Sequence, residues 1–147
     1  MTQIDFFHGA ADKLVAASQL AGELYREGRR VFIFAPDSSI ATAVDRLLWT
    51  HPPIGFVPHC AAGSALAAQT PIVIGQSLDD TSHEDVLINL DGDLPAGFGR
   101  FHRLIEIVSN DDADRLPARS RYKHYRDRGY PLAAQDFATR TAPSRQA

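Results

Sequence analysis

The sequence predicts an α/β domain built on a mostly parallel central sheet, and three observations predict it. Short apolar runs of strand length read as buried strands. At the start of the chain they alternate with stretches of helical spacing, the order of a βαβ arrangement. The chain has 147 residues and an apolar fraction of 44%, which suits a continuous hydrophobic core and excludes a disordered or membrane-spanning class.

The elements follow in order. "QIDFF" (3–7) is a short buried strand. "ADKLVAASQLAGELYREG" (11–28) places Leu14, Val15, Ser18, Leu20, Ala21 and Leu24 at helical spacing, and Gly28 closes it. "RVFIFA" (30–35) is a second strand, followed by Pro36; Asp37 or Ser38 then caps a helix carrying Ile40, Val44, Leu47 and Leu48 on one side. "AAGSALAAQT" (61–70) is loop-like, and "PIVIG" (71–75), "DVLINL" (85–90) and "RLIEIV" (103–108) are further strands. Residues 76–84 and 92–99 read as loop and turn. A last helix runs to about Arg128, stopped by Gly129; because proline is tolerated only in a first turn, Pro117 predicts a start near Arg115 or Leu116. No repeat and no linker divides the chain, so one domain is expected over 1–138, with "TRTAPSRQA" (139–147) as a disordered tail.

Several chemistries lack their residues. The turns after the first two strands, "HGAADK" and "APDSS", match neither the glycine pattern of a dinucleotide site nor a phosphate loop. Ser64 in "AAGSA" is not on a nucleophile elbow. His8, His83, His102 and His124 show no paired-ligand spacing and read as surface or boundary residues. In "LLWTHPPIGFVPHC" (47–60), His51, His59 and Cys60 supply three metal ligands where zinc needs four, usually as two close pairs. Asp91 and Asp93 in "LDGDL" either hold Mg²⁺ in a small metal-dependent α/β enzyme or form a tight Asp-Gly turn. No apolar run approaches the roughly 20 residues that span a bilayer. The start lacks the basic and apolar regions of a signal peptide, and the lone Cys60 makes no internal disulfide. A reducing, cytoplasmic location is the expectation.

The positive signal is "RLPARSRYKHYRDRGY" (115–130), with six cations against Asp127 in a chain whose net charge is −3. On a helix Arg115, Arg119, Tyr122 and Arg126 share one face, with Lys123 beside it. Such a face suits an anionic ligand with an apolar part, since arginine binds carboxylates bidentately and tyrosine adds apolar area. A solvated helix whose cations favour its negative end, or weak salt-sensitive DNA binding, are the alternatives.

Together, "YREGRRVFIFAPD", "AVDRLLWTHPPIGFVPH", "PIVIG", "DVLINL" and "RSRYKHYRDRGY" resemble the chi-subunit family of bacterial DNA polymerase III, in the same order and over nearly the whole chain. The resemblance implies a Rossmann-like, three-layer domain without a working nucleotide site and without a cofactor or metal. It also implies a non-catalytic accessory subunit of the clamp-loader assembly in DNA replication. Two partners are implied: the acidic, Phe-ending C-terminal tail of the single-stranded-DNA-binding protein, and the psi subunit. DNA is then contacted only indirectly. Carried over by position, Val108, Arg115, Arg119, Tyr122 and Lys123 form the tail-binding surface. Trp49 and Phe56 belong to a surface for psi or a helicase-like protein. On that reading the "LLWTHPPIGFVPHC" stretch is a docking surface rather than a reactive corner.

Overall fold

The computed structural model describes residues 1–50 and 58–140. His51 and Phe56 therefore lie outside the described residues, as do 141–147. Among the described residues seven strands form one sheet: β1 (Gln3–Ala10), β2 (Val31–Phe34), β3 (His59–Ala61), β4 (Ile72–Gly75), β5 (Val86–Asn89), β6 (Arg103–Ser109) and β7 (Leu132–Asp136). Their order is β3-β4-β2-β5-β6-β1-β7, and every pairing is parallel. The helices are α1 (Lys13–Arg26), α2 (Ser38–Thr50) and α3 (Asp112–Asp127). The fold is the α/β class that the sequence predicts, in the Rossmann-like three-layer form that the family resemblance implies, and among the described residues the sheet is wholly parallel.

Alternation along the strands divides the core in two. Val31, Ile33, Val86, Ile88, Ile105 and Ile107 face α1 and α2. Phe32, Leu87, Leu104 and Val108 face α3 and the loops that carry Leu78, Phe98 and Phe101. Right-handed crossovers explain the layering. The chain moves along the sheet from β1 through β2 to β3 by way of α1 and α2 on one face. It then turns back through β4, β5 and β6 to β7 on the other, ending with α3. Between β3 and β6 that second face is covered not by helices but by three single turns of 3-10 helix, Ala67–Gln69, Leu78–Asp80 and Phe98–Arg100.

Local chemistry sets the ends of the elements. The Asp12 carboxylate accepts from the Leu14 and Val15 N–H groups at 3.0 and 3.1 Å and caps α1. Gly28, at φ +82°, closes it by donating to the Tyr25 carbonyl. Asp37 accepts from Ser39 at the start of α2. Gly75 serves a close approach: a Cβ there would lie 2.6 Å from the Phe32 ring and 2.9 Å from Ala62 Cβ.

Two strands escape the sequence reading. β3 is three residues long, too short for a periodic signal. β7, "LAAQD", is a half-exposed edge strand rich in alanine, which has little β-propensity; pairing with β1 makes it a strand. The start of α3 also differs from expectation. Asp111 caps the helix by accepting from the Ala113 N–H at 3.1 Å, and Pro117 lies inside it. A proline costs the hydrogen bond to the carbonyl four residues back. Here that is Ala113, an exposed residue in the first turn of α3. Arg140, which the sequence places in the tail, donates to the Phe137 carbonyl at 2.7 Å and pairs with Glu23 on α1.

Candidate partner-binding site

The topology itself opens a crevice. Neighbouring strands β6 and β1 send their connections to opposite faces, through α3 and α1, and ligands of open α/β sheets gather at such switch points beyond the strands' carboxyl ends. A bulge widens this one: β1 and β6 run in register to Phe7–Ile107, then shift before Ala10–Ser109. Gly9, in the bulge at φ +74°, is the residue the close approach requires, since a Cβ there would meet Asp136 Oδ2 at 2.8 Å. The resulting cleft has a volume of about 430 Å³, with Val108 of β6, Phe6 and His8 of β1, Ala134 and Asp136 of β7, and one side of α3 around it.

Four of the five residues assigned to tail binding meet in this cleft: Val108, Arg115, Arg119 and Tyr122. Val108 is 8% exposed and belongs to the core facing α3. The Tyr122 ring stands edge-on to Phe6 at 5.1 Å, so the two rings continue the apolar floor. Arg115 and Arg119 are exposed on the wall above, with Arg115 Nη1 3.2 Å from Asp112 Oδ1. The earlier start of α3 keeps Arg115 in phase with Arg119. Lys123 is exposed one turn beyond Arg119 and does not line the cleft. Arg126, expected on the same face, also lies outside it, 3.6 Å from Asp127. His8, read from sequence as a surface or boundary residue, reaches the cleft, with Nδ1 3.9 Å from Asp136 Oδ2.

The α3 wall is held at its start and through its middle. Asp114 Oδ1 accepts from Lys13 Nζ of α1 at 2.8 Å, and its Oδ2 accepts from the Ser109 N–H at 2.7 Å. Burial works to raise the Asp114 carboxyl, but these donors outweigh it and hold it below the usual carboxylate range. Further along, Glu106 of β6, 0% exposed, accepts from Arg121 Nε at 3.2 Å, Tyr125 Oη at 2.6 Å and Asn89 Nδ2 at 3.1–3.2 Å. Burial pushes the Glu106 carboxyl up, against the pull of Arg121, Tyr125 and Asn89. The Tyr125 hydroxyl is raised too, by burial and by the adjoining carboxylate.

This network was missed because Arg121 sits among surface cations in sequence. Its helical phase was the available signal: Ala118, Arg121 and Tyr125, spaced three and four, are the buried residues of α3. The same network accounts for "LDGDL". The Gly92 carbonyl accepts from Arg121 Nη1 at 2.8 Å, the Asp93 carbonyl from Asn89 Nδ2 at 3.1 Å, and the Asp91 N–H donates to Asn89 Oδ1 at 3.0 Å. Asp91 Oδ1 itself accepts from the Gly92 N–H at 2.8 Å. Among the described residues no three metal-ligating side chains converge, at Asp91 and Asp93 or elsewhere.

At the other edge of the sheet, Trp49 near the end of α2 is 57% exposed. Its ring packs on His59 with centroids 4.7 Å apart, and His59 Nε2 lies 3.2 Å from Asp45 Oδ1. His59 and Cys60 are consecutive on β3, so their side chains take opposite faces, His59 toward α2 and Cys60 toward the core facing α3. That alternation separates the pair the sequence had set side by side. No helix among the described residues is long and apolar enough to cross a membrane.

Comparison with known proteins identifies the family. The family model described as "DNA polymerase III chi subunit, HolC" matches residues 1–133. Relatives named DNA polymerase III subunit chi include one from Pseudomonas aeruginosa, 33% identical over 136 residues, covering 90% of this chain and 94% of the relative. One from Haemophilus influenzae is 35% identical over 121 residues, covering 82% and 84%. One from Escherichia coli is 33% identical over 124 residues, covering 84% and 83%. A family match over nearly the whole chain, joined to these relatives, places the chain in the family of the DNA polymerase III chi subunit, a non-catalytic subunit of that polymerase.

Proposed function

We propose that this chain is an accessory subunit of the cytoplasmic DNA polymerase III clamp-loader assembly. In that role it binds the acidic, Phe-ending tail of the single-stranded-DNA-binding protein in the cleft between β1, β6 and α3. The observation that carries the reading is the meeting of two exposed arginines with the apolar floor of Val108, Phe6 and Tyr122 in one crevice. Arg119 and Arg115 receive the terminal carboxylate and nearby aspartates, where charge-assisted hydrogen bonds are strongest. Val108, Phe6 and the Tyr122 ring seat the terminal aromatic side chain. Lys123, a turn further along α3, extends the cationic wall toward upstream aspartates.

The contact is small, so each tail binds modestly, and a partner offering several tails raises the avidity. The polymerase machinery is thereby tethered to coated template while DNA is touched only indirectly. Calorimetry with a tail peptide tests this. Arg119→Ala is expected to weaken binding by about 2 kcal/mol, roughly 30-fold; unchanged affinity would remove Arg119 from the site.

A second docking surface is favoured by the exposure of Trp49, a residue type that anchors interfaces. We assign it to psi or a helicase-like partner, with Phe56, which lies outside the described residues, as its sequence neighbour.

A further inference from the structure

The cleft has two unlike walls. The α3 wall carries Arg115 and Arg119, while the facing wall carries Asp136 at the end of β7 with His8 beside it. Asp136 is built in. Its Oδ1 accepts from the Ala138 and Thr139 N–H groups at 2.8 and 3.3 Å, and its Oδ2 lies against Gly9 and toward His8. Among the described residues, Arg140, the arginine just beyond β7, is engaged by Glu23 and the Phe137 carbonyl rather than by Asp136. On the other side the cations continue, since Lys123 and Arg126 follow Arg119 at four and seven residues along α3.

We propose that Asp136 is a specificity residue that turns the acidic stretch of a bound peptide onto α3 and away from β7, so that the peptide lies in one direction only. This rests on the cleft being the site of an acidic, apolar-ended peptide. The terminal side chain occupies the apolar floor in either direction, so the floor alone selects no orientation. The charges do. Carboxylates upstream of the terminus are attracted along Arg119, Lys123 and Arg126 and repelled by Asp136, and within a Debye length of about 8–10 Å neither effect is screened out. A repulsive element opposite an attractive one is how a site rejects the wrong arrangement of the right ligand.

The test uses the full chain and a ten-residue peptide with an acidic run, a terminal Phe and a spin label at its amino end. In the wild-type protein the label is expected to broaden amide resonances of α3 beyond Tyr122 and to leave Ala134–Asp136 sharp. Asp136→Asn keeps the Oδ1 acceptor and removes the charge. It should tighten binding about two- to fivefold at low salt and spread the broadening onto β7, while a peptide with asparagines in place of its upstream aspartates shows no such gain. Broadening over β7 in the wild-type protein overturns the proposal whatever the variant does, and so does equal affinity of the two proteins for the acidic peptide. Absence of binding by both overturns the tail-binding reading and the proposal with it.

Discussion

At the scale of single residues, Glu106 and Arg121 do most to fix the α3 wall. Both are buried, at 0% and 3% exposure, and the pair is completed by Tyr125, Asn89 and the Gly92 carbonyl. Removing one partner of a buried pair leaves the other with its desolvation uncompensated, at a cost of about 3–5 kcal/mol. Arg121→Leu is therefore expected to lower unfolding stability by about 3 kcal/mol in urea titrations; a loss below about 1 kcal/mol would mean that the network contributes little. The exposed Arg119, two residues away, should tolerate the same substitution within about 0.5 kcal/mol of stability. Charge counting treats these two arginines alike and helical phase separates them. Arg115, Arg119 and Tyr122 were legible because they share a helix face, and Val108 because it matches a known pattern. His8 and Asp136 were not, because β1's bulge and β7's pairing bring them there, and neither leaves a periodic trace.

At the scale of elements, α3 hangs on its first turn. Asp114 ties it to α1 through Lys13 and to the end of β6 through Ser109, directly before Arg115. A carboxyl whose pKa is depressed in the folded state adds stability that is present above its unfolded value, about 3.9, and is lost as pH falls through the folded value. The wild-type protein should thus lose stability on acidification below about pH 4 more steeply than Asp114→Asn. At neutral pH that variant should be about 1–2 kcal/mol less stable. Parallel losses with pH in the two proteins would assign the acid sensitivity elsewhere. Buried strands and the two amphipathic helices were legible from apolar runs and caps. β7 was not, since an alanine-rich edge strand takes its conformation from its neighbour. Pro117 misplaced the start of α3 because the rule against interior proline weighs the lost hydrogen bond most heavily where the freed carbonyl is buried, and here that carbonyl belongs to Ala113, an exposed residue of the first turn.

At the scale of the molecule, the cleft proposed for the tail and Trp49 sit toward opposite edges of a seven-stranded sheet. Six strand spacings of about 4.8 Å separate the edge strands by about 29 Å. On the proposed reading, partners docked at the two ends would not compete for surface, which suits a subunit that links one protein to another. The layering behind this arrangement follows from two runs of right-handed crossovers in opposite directions, and the same reversal opens the cleft between β6 and β1. The measurement that bears most directly on the cleft is a titration of the ¹⁵N-labelled protein with the acidic, Phe-ending peptide, followed by amide and indole resonances. Saturable shifts at Val108, Arg115, Arg119 and Tyr122, with the Trp49 indole unmoved, are predicted; shifts centred on Trp49, or none, would contradict the account.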